Sequence, residues 1–169
     1  KLMVFREIVE ELVSNNHRAL VFSQFVKHLD LVREALNSMG ITYLYLDGST
    51  SMPQRDKLVK DFQAGKGQLF LISLKAGGFG LNLTAASYVV LFDPWWNPAV
   101  EAQAIDRTHR IGQKQTVFAY RLLIKDSIEE KIRLLQKQKG NLANDILGEE
   151  NFAQALTLND FHFLLGGEA

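Results

Sequence analysis

The sequence contains no cysteine, which excludes a disulfide scaffold, cysteine-ligated zinc and cysteine nucleophiles. A chain without thiols is also compatible with a reducing cytosol. Net charge is absent as well: 19 Lys and Arg offset 19 Asp and Glu. The total therefore gives no hint of a polyanionic partner, although nucleic acid needs only a local basic patch. No apolar run approaches the roughly 18 residues of a membrane span, and no signal-peptide pattern opens the chain. No membrane partner is expected. No carboxylate pair, metal-ligand spacing or nucleophile triad stands out. Both common phosphate-loop signatures fail: Leu83 stands where a G-x-G-x-x-G motif needs its third glycine, and "GKGQ" at 65–68 is not G-x-x-x-x-G-K-[ST]. Internal repeats and low-complexity stretches are likewise missing.

What is present is 169 residues, 47% hydrophobic and 22% charged, the composition of one ordinary globular domain with a substantial core. The opening "KLMVFREIVEEL" already reads as helix, so the chain is expected to begin inside a larger protein. Apolar positions Leu2, Phe5, Val9, Leu12 and Val13 recur at helical spacing until "SNN". A buried strand follows over 18–23, then an amphipathic helix over 27–40 stopped by Gly40. "TYLYLDG" reads as strand and turn, and Pro53 opens the next helix. Strands over 68–73 and 88–93 flank the Gly-rich "LKAGGFGLNL". A helix is predicted from about Pro98 to Arg110, a strand over 117–124, and a long helix capped by Ser127. A short "LNDFHFLLG" helix closes the tail. Strands alternating with helices call for a parallel sheet with crossover helices, whose ligands gather at the carboxyl ends of the strands. Four loops qualify, after Phe22, Leu46, Ile72 and Phe92.

Three stretches in or near those loops invite chemistry. Gly77, Gly78 and Gly80 permit close backbone approach of a phosphate or sugar, or serve only as a packing turn. "FDPWWNP" places two tryptophans between two prolines, so that one is expected to be exposed as a stacking platform; alternatively both cover the sheet end. In "QAIDRTHRIGQKQTV", Arg107 and Arg110 share a helical face and suit one anion with bidentate donors. The bland alternative pairs them with Glu101 or Asp106. His109 alone reads as a hydrogen-bonded structural histidine.

The order of "VFSQF", "LDGSTS", "LKAGGFGLNLTAA", "FDPWWNP" and "DRTHRIGQ" resembles the second RecA-like lobe of superfamily-2 helicases, and more narrowly the Swi/Snf-type DNA translocases. The resemblance covers residues 1 to about 148. Gln113 stands where DEAD-box RNA helicases carry arginine in "HRIGRTGR". The tail looks like that of prokaryotic members.

The resemblance implies an α/β fold: a RecA-like parallel sheet with flanking crossover helices over 1–126, a long C-terminal brace helix over 127–148, and a tail with a short helix over 149–169. It also implies ATP, with Mg²⁺ held by an N-terminal RecA-like lobe that this stretch does not contain. Arg107 and Arg110 match that family's arginine fingers. Gly78, Gly80 and Asn82 match the motif that approaches the ribose, with Asn82 standing where RNA helicases often carry aspartate. Double-stranded DNA is the implied polymer partner, met by Ser23, Gln24, Gly48, Ser49, Arg55, Ser73, Lys75 and Trp96. The role implied is half of an ATP-dependent double-stranded DNA translocase, nucleoid-associated in the cytoplasm of a prokaryote or nuclear in a eukaryote. A nucleic-acid-binding module without ATPase role and half of an RNA helicase are the alternatives. The 169 residues alone are expected to be a monomer that folds. Lacking a phosphate loop, they should hydrolyse no ATP above background; DNA-stimulated phosphate release by this stretch alone would exclude the two-lobe arrangement.

Overall fold

The computed structural model describes residues 1–74, 76, 81, 83–93, 95, 98–106, 116–138 and 156–166, with the side chains of 98–100 and 103 left aside. Five strands, β1 (Ala19–Ser23), β2 (Tyr43–Leu46), β3 (Leu69–Ser73), β4 (Tyr88–Leu91) and β5 (Phe118–Arg121), form one sheet in the order β2-β3-β1-β4-β5. Every pairing is parallel. The described helices are α1 (Leu2–Ser14), α2 (Val26–Ser38), α3 (Met52–Gln63), α4 (Pro98–Asp106), α5 (Ile128–Gln138) and α6 (Leu158–Leu164).

The strands are shorter than the apolar runs that announce them, because pairing starts on a common row. Tyr43, Leu69, Ala19, Tyr88 and Phe118 are register partners across the sheet, and Leu46, Ile72, Phe22, Leu91 and Arg121 close it. Only Ser23 and Ser73 pair one residue further. The expected brace helix appears as α5 to Gln138; its remainder at 139–148 lies outside the described residues, as do residues 107–110 beyond α4.

Helix ends follow from local chemistry. After α2, the Ile41 amide donates to the Leu36 carbonyl (3.1 Å) and Gly40 to Asn37 (3.2 Å), with Gly40 at φ +67°. That is the Schellman stop, which requires a left-handed residue. The same pair of bonds closes α1, where Asn16 takes φ +61°; Asn tolerates this region better than most side chains. At the start of α3, Ser51 and Gln54 form a capping box with Pro53 in the first turn. Ser127 accepts from the Glu129 amide at 3.2 Å, as its position before α5 predicts.

Side-chain alternation divides the core in two. Val21, Leu71 and Val90 point to one face, where α1 (Phe5, Val9, Leu12) and α2 (Leu29, Val32, Leu36) cover them. Leu20, Phe22, Phe70, Ile72 and Leu91 point to the other, under Phe62 of α3, the loop residues Leu81 and Leu83, and Ala104 of α4. Connections that move in opposite directions along a parallel sheet place their helices on opposite faces when each crossover is right-handed. The connection out of β1 travels one way and that out of β3 the other, so a crevice opens between their carboxyl ends. Beside this body, α6 packs on α5 through Leu164, Ile132 and Leu135, and Lys131 donates to the Phe163 carbonyl at 2.8 Å.

Phe62 is fully buried against Phe70, with ring centroids 5.3 Å apart. The Arg18 guanidinium lies 3.9 Å over its ring. Phe62→Ala should therefore cost about 3–5 kcal/mol, as large-to-small changes in rigid cores do. Urea unfolding measures it, and a loss below about 1 kcal/mol would contradict this packing.

Candidate functional site

The carboxyl edge brings together the loops after β1, β2, β3 and β4, which are consecutive in the sheet. Six of the residues expected there are described: Ser23, Gln24, Gly48, Ser49, Arg55 and Ser73. Lys75, Gly78, Gly80, Asn82, Trp96, Arg107 and Arg110 lie outside the described residues.

Ser23 and Ser73 sit side by side in register, both buried. Ser23 donates to the Asp93 carboxylate and accepts from the Phe25 amide at 3.1 Å, which turns the chain into α2. The Ser73 hydroxyl accepts from the Ala76 amide at 3.3 Å and bends the chain out of β3. These two serines shape the edge from inside. Gln24, directly after Ser23, is half-buried, while Gly48 and Ser49 are exposed.

Asp47 organises the loop after β2. Its Oδ1 accepts from the Ser49 amide (2.9 Å) and hydroxyl (2.6 Å), and its Oδ2 from the Tyr45 phenol (2.9 Å). Its own amide donates to Thr50 Oγ1 at 3.1 Å. Donors that the motif suggests for an external phosphate thus meet an internal carboxylate here. Arg55 is only 6% exposed, which a surface phosphate ligand would not be. It donates to the carbonyls of Thr50 (2.8 Å), Ala76 (3.0 Å) and Asp47 (3.3 Å). A planar guanidinium with several fixed donors can hold two loops at once. Arg55 thereby ties the loop after β2 to the loop after β3.

Of the two carboxylates that matter most to this edge, sequence reasoning passed over Asp93 and weighed Glu101 only as a partner of Arg107 or Arg110. Asp93, after β4, is 1% exposed. Besides Ser23 it meets His28 Nδ1 at 2.8 Å and Lys1 Nζ at 3.7 Å. Lys1 also donates to the Phe92 carbonyl (2.8 Å) and to Glu129 of α5 (2.5 Å). Glu101, in the first turn of α4, is also 1% exposed; it accepts from the Trp95 amide (3.0 Å) and from Arg121 Nε of β5 (2.7 Å). Glu101, weighed as a partner of Arg107 or Arg110, is thus a partner of Arg121; residues 107 and 110 lie outside the described residues. A buried acid is rare unless paired, and each of these two has its partners. Trp95 is half-buried and packs on the second core.

With this geometry in place, comparison with known proteins identifies the class. Residues 1–112 match the family described as helicase conserved C-terminal domain, and the chain belongs to that family. It is 46% identical over 142 residues to "DNA repair protein RAD5B" of Arabidopsis thaliana, covering 83% of this chain and 11% of that protein. To an "Uncharacterized ATP-dependent helicase" of Mycoplasma pneumoniae it is 43% identical over 153 residues, covering 89% and 15%. Among solved structures, the C-terminal part of the Fun30 ATPase domain shares 37% identity with a TM-score of 0.76, over 89% of this chain and 49% of that one. The likeness fixes the fold as the expected RecA-like α/β lobe. The chain spans only 11–15% of these two curated relatives' length.

Two titrations report on the Asp47 loop. The Asp47 carboxyl is held below the usual carboxylate range, first by the Ser49 hydroxyl bond. The Tyr45 phenol is pushed up to about 12, first by desolvation and next by its bond to Asp47. A lowered carboxyl pKa contributes stability present above the unfolded value of about 3.9 and lost as pH falls through the folded value. A raised phenol pKa contributes stability that is lost as pH climbs from about 10, where the unfolded phenol ionises, towards the folded value. Phenolate absorbance should therefore show Tyr45 ionising late, and Asp47→Asn should move its midpoint down. An unmoved midpoint would break the link between these groups.

Proposed function

We propose that this chain is the second RecA-like lobe of an ATP-dependent double-stranded DNA translocase of the Swi/Snf type. The observation that carries the reading is the likeness to the C-terminal part of the Fun30 ATPase domain across 89% of the chain at 37% identity. Support comes also from the "DNA repair" and "ATP-dependent helicase" names of the relatives. The finer assignments rest on motif order. Arg107 and Arg110 act as arginine fingers on the phosphates of an ATP held mainly by an N-terminal lobe. Gly78, Gly80 and Asn82 approach its ribose. Gln24, Gly48, Ser49, Lys75 and Trp96 face the DNA backbone and groove, while buried Ser23, Ser73 and Arg55 hold their loops in place. Such backbone contacts carry no sequence preference.

The cofactor implied is ATP with Mg²⁺, whose phosphoryl chemistry needs positioning and charge stabilisation. Among the described residues, no group of three or more His, Asp or Glu is gathered to hold a metal. The described edge fits the flank of a nucleotide site, and we assign the metal to the other lobe. This lobe's part is to present donors where charge develops, which lowers the barrier without tightening the ground state.

In the full-length protein, Arg107→Ala and Arg110→Ala should each lower kcat by tenfold or more, towards the roughly 10³–10⁵ effect of fingers in well-studied NTPases. ATP affinity should change little. Steady-state hydrolysis at saturating DNA, read beside nucleotide binding, makes the test. A loss of less than about tenfold in both variants removes the fingers from the reading.

A further inference from the structure

Two buried side chains hold the backbone of Trp95 from different elements. Glu101 Oε1 of α4 accepts its amide at 3.0 Å, and Gln136 Nε2 of α5 donates to its carbonyl. That carbonyl belongs to the peptide leading into Trp96. Each holder is itself fixed: Arg121 Nε of β5 donates to Glu101 Oε2 at 2.7 Å, and Arg133 Nη1 donates to Gln136 Oε1 at 3.0 Å. The Arg133 bond also settles which end of the Gln136 amide turns towards Trp95. Gln136 is 3% exposed, on the helix face that also buries Ile132 and Leu135. A leucine would pack there at no polar cost, whereas a buried amide is tolerated only when bonded. Among the described residues, the tryptophan ring makes no comparable tie, since its buried indole Nε1 finds no hydrogen-bond partner there. Trp95 is therefore anchored in polar terms by its backbone.

We propose that Gln136 and Glu101 are positioning residues for the double-tryptophan loop, so that docking of α5 sets how well the loop engages duplex DNA. This rests on the DNA-translocase reading above. Neither residue touches DNA or nucleotide; both act through the Trp95 backbone. Seating α5 brings the loop into its binding shape in advance, and lifting α5 removes that preorganisation.

The test is Gln136→Glu in the full-length protein. This variant keeps the side-chain size and the oxygen that Arg133 meets, but replaces the donor to the Trp95 carbonyl with an acceptor. Hydrolysis without DNA should stay near the wild-type rate, as should the maximal DNA-stimulated rate. The duplex concentration for half-maximal stimulation should rise roughly two- to tenfold, the span of one lost hydrogen bond. Hydrogen exchange at the Trp95 amide should accelerate in parallel. Unchanged exchange overturns the latch. Faster exchange with unaltered half-saturation overturns its coupling to DNA. Basal and stimulated rates falling together, with a lower melting temperature, would make Gln136 a fold residue only and equally overturn the proposal. A wild-type protein without DNA stimulation sinks the translocase reading instead, and the coupling with it; the exchange measurement still decides whether the latch exists.

Discussion

Parallel pairing on a common row is the constraint from which the rest of this lobe follows. Because all five strands run the same way and end together, four loops are delivered to one edge, with only Ser23 and Ser73 projecting a residue further. The short ladder leaves the loops to be held by side chains rather than by strand extension. Ser23, Ser73 and Asp47 do this work within their own loops, and Arg55 between two of them. Asp93 and Glu101 join separate elements, the one linking the end of β4 to β1 and α2, the other α4 to β5.

Buried ions of this kind are weak sources of stability, since desolvation consumes most of the Coulomb gain. Their value lies in geometry. Asp93 is surrounded by Ser23, His28 and Lys1, and Glu101 by an arginine and an amide, so neither carboxylate can shift without leaving a partner unpaired. Lys1 extends the same logic outward through Glu129, whose Oε2 also accepts from the Ile124 amide at 2.9 Å. The start of α5 is thereby tied to the end of β4, and its last turns to Trp95.

Much of this was legible beforehand because the signals were strong and local. The short apolar runs of the buried strands, Gly40 and "SNN" as helix stops, and Pro53 as a helix start all act within a few residues. The gathering of four loops at one edge followed from helix–strand alternation alone. Arg55 was legible as a cation near the edge but not as a buried clamp, since its partners are carbonyls, which sequence cannot rank. Asp93 was hidden within a motif dominated by its tryptophans. The partnership of Glu101 with Arg121, and that of Gln136 with Trp95, depend on packing between α4, β5 and α5. Those pairs are 20 and 41 positions apart, beyond any local pattern.

One helix has a mechanical character that its sequence does not announce. At its first turn, α3 is fastened by Arg55 to the two loops of the carboxyl edge. At its far end, Arg18 from the entrance to β1 donates to the carbonyls of Phe62 (2.6 Å), Lys66 (3.2 Å) and Gly67 (3.1 Å). A twelve-residue helix is about 18 Å long. Clamped by a guanidinium at each end, it is a strut across the sheet. A load applied to the loops at one edge travels along its axis to the opposite edge, and the lobe shifts as a unit where an unbraced sheet would flex.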